Sequence, residues 1–272
     1  MKVFKDQMGN EIGLSGLPKR IISLVPSQTE LLFDLGLESE IAGITRFCIH
    51  PHEKVKHIPK IGGTKKFDFE KISSLNPDLI LGNKEENYRE GIEALQKKFP
   101  VWMSDIKDVY DALFMIQSIG EITGREEEAY PIAFGIKRKL ADYRAPYRLN
   151  AAYFIWKDPY MCAGGETFIH EMLKIADFNN VFATQKRYPL VSEEDIRTCK
   201  ADLILLSSEP YPFVEKHLDE FRQLCPKALV LLVDGEMFSW YGSRLQYSAE
   251  YFNALEQKIS SWLSHQTYNP LT

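Results

Sequence analysis

The stretch Phe47 to Glu53, FCIHPHE, concentrates side chains that ligate metals. Cys48, His50 and His52 alternate there, and thiolate and imidazole are the usual ligands of zinc and other transition metals. Pro51 favours an extended His50, and in an extended segment alternate side chains share a face. Their spacing of about 7 Å is wide for three ligands on one ion. Two metal readings follow: His57 completes a site from the same loop, or a single imidazole here ligates a metal carried by a bound chelate. The competing reading is two surface histidines and a buried thiol. A second polar group is Lys84-Glu85-Glu86-Asn87, and a third is Arg244 after Gly242-Ser243, suited to an acidic ligand group or a carboxylate. No GxSxG, Walker A, HExxH or GxGxxG pattern occurs, so the chain is expected not to be an enzyme.

The elements that must hold these residues alternate between buried-strand runs and amphipathic helices. Strands are expected at 20–25, 40–45, 78–81 and 101–103, and helices at 27–36, 69–75, 87–99 and 109–120. Ser27, with Glu30 three residues on, reads as a capping box. Residues 1–18 read as an edge strand and a turn. From Arg125 to Tyr143 one long helix carries an apolar stripe (Ala129, Ile132, Ala133, Ile136, Leu140), an acidic start and a basic end. Pro131 sits late for a first turn.

Beyond it the pattern restarts, with strands at 151–156, 202–206 and 228–233 and helices at 166–176, 192–198, 214–224 and 248–263. An offset of 124 residues lays Asp78-Leu79-Ile80-Leu81 on Asp202-Leu203-Ile204-Leu205, Ile72 on Ile196 and Glu70 on Glu194. The expected fold is α/β: two similar Rossmann-like lobes, 1–122 and 147–272, joined by a bridging helix within 123–146.

Ligands of such sheets bind beyond the carboxyl ends of the strands, which points to the cleft between lobes. The loops expected there are rich in aromatic residues, among them Phe47, Tyr160, Tyr188, Phe238, Trp240 and Tyr241. Such a lining suits a flat macrocycle.

The 272 residues are 44% hydrophobic and carry a net charge of −5, so neither nucleic acid nor an anionic membrane surface is an expected partner. No run is long and apolar enough for a membrane span. The N-terminus, MKVFKDQMGNEIGL, lacks the apolar centre and cleavage site of a signal peptide. The expected location is therefore periplasmic or surface-anchored if a signal has been removed, and cytoplasmic if Met1 is the native start. The four cysteines form no CxxC and read mostly as free thiols.

Several stretches together resemble one family: RIISLVPSQTELLFDLGL (20–37), IAGIT (41–45), IPKIGG (58–63), FDFEKISSLNPDLIL (67–81), GGETFIHEML (164–173) and YPLVSEEDIRTCKADLILLSS (188–208). They are similar to the helical-backbone, class III substrate-binding proteins of ABC importers, and within these to the vitamin B12 branch beside the haem and iron-siderophore binders.

The resemblance implies a monomer with no required cofactor. It would bind cobalamin or a related metal chelate (haem, a ferric siderophore) and deliver it to an ABC permease dimer. It implies docking through Glu70 and Glu194, one per lobe, since a two-fold permease presents the same cations twice. Phe47 and Tyr188 fall on aromatic positions of the B12 site and Glu236 on an acidic one. Thr64 stands where that branch has tryptophan, and Trp240 and Tyr241 match no aromatic of the pattern. Phe47, Thr64, Tyr160, Tyr188, Glu236, Phe238, Trp240, Tyr241 and Arg244 are the expected ligand contacts. The alternative is a cytosolic protein of the same fold that is not exported and uses the cleft for metal or corrinoid handling or for catalysis.

Overall fold

The computed structural model describes residues 1–267; the last five residues of the expected C-terminal lobe lie outside the described residues. The chain forms two α/β units. The first takes Met1–Lys137 together with Tyr241–Arg244; the second takes Arg138–Trp240 and the chain from Leu245 onward.

In the first unit a hairpin of β1 (Lys2–Lys5) and β2 (Glu11–Leu14) precedes β3 (Ile21–Ser23). Then come helix α1 (Pro26–Asp34), β4 (Ile41–Ile44), the short helix α2 (His52–Val55) and a small hairpin of β5 (Gly62–Gly63) and β6 (Lys66–Phe67). Helix α3 (Phe69–Leu75), β7 (Leu79–Asn83), α4 (Arg89–Gln96), β8 (Val101–Ser104) and α5 (Val109–Thr123) complete it. The sheet order is β4-β3-β7-β8, all parallel. Ile21, Ile22, Leu79, Ile80 and Leu81 have no exposed surface, because helices cover both faces of such a sheet and leave no polar side to alternate with.

Helix α6 (Glu126–Asp142) follows, with Pro131 in its second turn, and the division between the units falls inside it. Of its predicted stripe, Ala129, Ala133 and Ile136 are buried. A Cβ on Gly120 of α5 would lie 2.4 Å from the Ala129 Cβ, so only glycine permits this approach of the two helices.

The second unit contains β9 (Leu149–Trp156), β10 (Met161–Cys162), α7 (Phe168–Ile175), β11 (Phe178–Asn180), α8 (Glu193–Thr198), β12 (Leu203–Ser207), α9 (Leu218–Leu224), β13 (Leu229–Val233), α10 (Glu236–Ser239) and α11 (Ser248–Thr267). Its sheet runs β10-β9-β12-β13, with β11 also paired to β9. The pairs β9–β12, β12–β13 and β9–β11 are parallel, and β10 is antiparallel.

The internal repeat is therefore structural. The superposed strands β7 and β12 each lie beside the strand that comes first in their sheet along the chain. Asp78 accepts hydrogen bonds from the backbone N–H groups of Lys19 and Arg20 (2.8 and 2.9 Å), and Asp202 accepts one from Asn150 N–H at 2.8 Å. In each unit a carboxylate at the foot of one strand ties down the start of its neighbour. The superposed Glu70 and Glu194 both occupy the second position of a short helix, behind the caps Asp68 and Ser192, and both are exposed; Ile72 and Ile196 are buried two residues later.

The expected capping box at Ser27 does not form. Helix α1 opens with Pro26 at its first position after an extended Val25, and no side chain caps it. Proline's fixed φ and missing N–H suit that position and move the start one residue earlier.

Candidate functional site

At the carboxyl end of the first sheet, side chains replace the backbone pairing that the strands have run out of. Gln28 Nε2 donates to Ser104 Oγ at 2.7 Å, and Asn83 Nδ2 donates to the same oxygen at 3.0 Å. Asn83 Oδ1 accepts from the N–H groups of Glu85 and Glu86 (2.8 and 3.1 Å), which folds KEEN into a tight turn. Asn87 Oδ1 accepts from Asn83 N–H at 2.8 Å, and its Nδ2 donates to the Thr64 carbonyl at 3.1 Å, anchoring the loop that bears Thr64. Asn83, Asn87, Gln28 and Ser104 are all buried, so the rim stands on a rigid polar frame.

Tyr241–Arg244 is the one segment after residue 137 that belongs to this unit. Tyr241 Oη donates to Glu86 Oε1 at 2.6 Å, and Arg244 grips Glu30 bidentately at 2.8 and 2.5 Å. A Cβ on Gly242 would stand 2.7 Å from the Ser27 carbonyl oxygen, so glycine allows the segment to cross the start of α1. Burial raises Glu30 above the usual carboxylate range, against the pull of Arg244. Thus Tyr241 and Arg244 hold the segment in place, and Glu30, read from sequence as a cap, is the partner of Arg244.

Phe47 differs from these. Its ring is 48% exposed, Ile49 beside it is exposed as well, and the Arg46 guanidinium lies 4.9 Å from the Phe47 centroid. Gly63 leaves room behind the ring, since a Cβ there would approach Phe47 to 3.2 Å.

The structure does not bring Cys48, His50 and His52 together as a metal centre. Cys48 points into the core, with Thr29 Oγ1 and Thr45 Oγ1 at 3.0 and 3.2 Å from its sulfur, and burial raises its thiol. His52 opens α2 and projects to solvent beside Glu53, so the alternation assumed for an extended strand ends in a helical turn. Among the described residues no group of three His, Cys, Asp or Glu side chains is placed to hold a metal.

In the second unit, Gly164 and Gly165 seat the loop before Tyr188. Cβ atoms there would lie 2.2 and 2.3 Å from the carbonyl oxygens of Gln185 and Ala183, and Gly164 N–H donates to the Arg187 carbonyl at 2.8 Å. Tyr188 is half-buried, and Leu190 beyond it is exposed. Glu236, at the start of α10, is also half-buried. Trp240 is buried, and its Nε1 donates to Glu209 at 2.9 Å; Ser239 Oγ donates to the same carboxylate at 2.7 Å.

One expected contact is a core residue instead, and a second is half-buried against the core. Phe238 has no exposed surface and packs on Tyr153, Tyr251 and Phe252 at ring distances of 5.0, 6.1 and 5.1 Å. Tyr160 packs edge-on to Phe154 and Phe221, with its hydroxyl donating to Glu220. Phe47, Thr64, Tyr160, Tyr188 and Glu236 keep accessible surface. A cavity of about 490 Å³, lined by Asn10–Gly13 and Gln96–Val101, lies in the first unit at the amino end of β8.

Two α/β units built on mainly parallel sheets, each with its loops at the strand carboxyl ends, define the architecture of class III periplasmic binding proteins. The chain belongs to the periplasmic binding protein family, whose model matches residues 21–225. It is 27% identical over 213 residues to the ABC transporter substrate-binding lipoprotein YvrC of Bacillus subtilis (strain 168), covering 74% of this chain and 67% of YvrC. It is 24% identical over 243 residues to the vitamin B12-binding protein of Photorhabdus laumondii, with 87% of each chain covered.

Among solved structures, the vitamin B12 binding protein BtuF of Vibrio cholerae superposes with a TM-score of 0.75 at 19% identity, over 89% of this chain and 98% of that one. The apo heme-binding protein RhuT of Roseiflexus sp. RS-1 gives 0.75 at 20% identity, over 89% and 97%. The chain is a binding protein rather than an enzyme, and its role is substrate binding for an ABC importer.

Proposed function

We propose that this protein takes a flat metal chelate, a corrinoid such as cobalamin or a haem, on the loops at the carboxyl ends of its strands and presents it to an ABC permease dimer. Phe47 carries this reading. A half-exposed ring on a braced loop, with a cation over it, offers apolar area to a macrocycle and a charge to its acidic or amide edge. Thr64, Tyr188 and Glu236 are accessible side chains on matching loops and would add polar contacts. Relatives named for vitamin B12 and heme support the ligand class. The metal arrives with the cargo, which accords with the dispersed Cys48, His50 and His52.

Permease docking falls to Glu70 and Glu194. Both are exposed at the second position of equivalent helices, so two like subunits would meet like anions. Such pairs steer and orient more than they add affinity. The protein works as a monomer and outside the cytoplasm; relatives described as a lipoprotein and as periplasmic support the location.

In cells that depend on import of the chelate, joint replacement Glu70→Ala and Glu194→Ala abolishes uptake, while the purified variant binds ligand as the parent does. Uptake at the parental rate would remove the docking role.

A further inference from the structure

Three of the four cysteines share one apolar cluster of the second unit: Cys162 and Cys225 belong to it, and Cys199 packs against it. Cys199 caps the carboxyl end of α8 and Cys225 that of α9. Their sulfurs converge on one backbone atom: Cys199 Sγ lies 3.1 Å and Cys225 Sγ 2.9 Å from the carbonyl oxygen of Ile196. Both thiols donate to that carbonyl, so the two sulfurs are no more than 6.0 Å apart. Both thiols are free, and Cys199 is the more accessible of the two.

We infer that Cys199 and Cys225 are a redox pair, a modification site at which a small-molecule or protein disulfide closes a bond between the ends of α8 and α9. The inference is independent of ligand binding and of docking; the proposed extracytoplasmic location bears only on which form is populated in the cell.

The two thiols have separate roles. Cys199 is the more accessible thiol; the polar Cys225 side chain beside it holds Cys199 below the usual thiol range, at about 7, and the same closeness pushes Cys225 up. Cys199 is thus the attacking thiolate. It attacks one sulfur of the oxidant, for example oxidised glutathione, and expels one glutathione thiolate. Cys225 then loses its proton to that thiolate or to water, attacks Cys199 Sγ in the mixed disulfide, and expels the second glutathione. Two protein thiols and one glutathione disulfide become one protein disulfide and two glutathione thiols, with both electrons passing to glutathione.

The remaining cysteines are worse placed. Cys162 has no exposed surface, and burial pushes its thiol up to about 12. Cys48 lies in the other unit, buried among threonine hydroxyls. Closure would span residues 199–225, enclose β12, and clip the end of the helix that carries Glu194.

The test uses the full chain, equilibrated natively in glutathione buffers from fully reduced to fully oxidised, then acid-quenched, unfolded, alkylated and peptide-mapped. The expected result is the loss of two alkylatable thiols, a cross-linked peptide joining Cys199 to Cys225, and a melting temperature higher by roughly 5–10 °C in the oxidised form. Cys162→Ser keeps the cross-link, and Cys225→Ser accumulates a single glutathione adduct on Cys199. Full alkylation of both residues in the oxidised buffer, or a cross-link that uses Cys162, would overturn the inference.

Discussion

Arg244 and Glu30, 214 positions apart in sequence, meet in a bidentate pair with bonds of 2.8 and 2.5 Å, both side chains little more than a tenth exposed. The pair and the bond from Tyr241 to Glu86 fix a four-residue segment against the first unit. Arg244→Met leaves the Glu30 carboxylate buried without its cation. The expected loss is about 2–4 kcal/mol, near the range for breaking a buried pair. Adding Glu30→Gln should recover part of it, since the orphaned charge is then gone. Urea unfolding of the full chain and the two variants measures both effects.

Glu209 gives a pH dependence of definite sign. Burial, foremost, raises its carboxyl above the ordinary value, and the hydrogen bonds from Ser239 and Trp240 offset this only in part. The folded chain therefore holds a proton that the unfolded chain has already released. Stability falls as pH rises from the ordinary carboxylate pKa through the folded one, and the cost is complete above that window. Glu209→Gln keeps an acceptor for Trp240 and does not titrate. Its urea midpoint should match or exceed the parent's near pH 8, and that advantage should vanish near pH 3, below the usual carboxylate range. A parent that gains on the variant as pH rises would contradict the sign.

Phe47 and Phe238 were expected to act alike, and their environments separate them. Phe238→Ala empties a fully buried site among three rings and should cost about 3–5 kcal/mol. Phe47→Ala removes a half-exposed ring and should change stability by about 0.5 kcal/mol or less. Thermal melts of the two variants check the contrast.

Much of the fold was legible because its signals are local. Apolar runs bounded by proline, glycine or aspartate became buried strands, and Phe69–Leu75 forms the helix expected of it. The offset between Asp78 and Asp202 was legible because both residues do one job, tying a neighbouring strand. What escaped is set by partners distant in sequence. The two- and three-residue strands β10 and β11 are strands through their pairing with β9. Glu30 reads as a cap until Arg244 comes within reach, and an aromatic loop does not reveal which ring, Phe238 or Phe47, turns inward. The Asn83 frame left a usable sign: an asparagine at a strand end, followed by KEEN, is an Asx turn in sequence.

The most direct test is a fluorescence titration of the purified chain with cyanocobalamin, haemin and a ferric siderophore. Trp156 and Trp240, in the second unit, serve as reporters. The account predicts saturable one-site quenching by cyanocobalamin or haemin, weakened at least tenfold, about 1.4 kcal/mol, in Phe47→Ala and in Tyr188→Ala, and unchanged in the joint Glu70 and Glu194 variant. Quenching by neither tetrapyrrole, or quenching indifferent to Phe47, would contradict it.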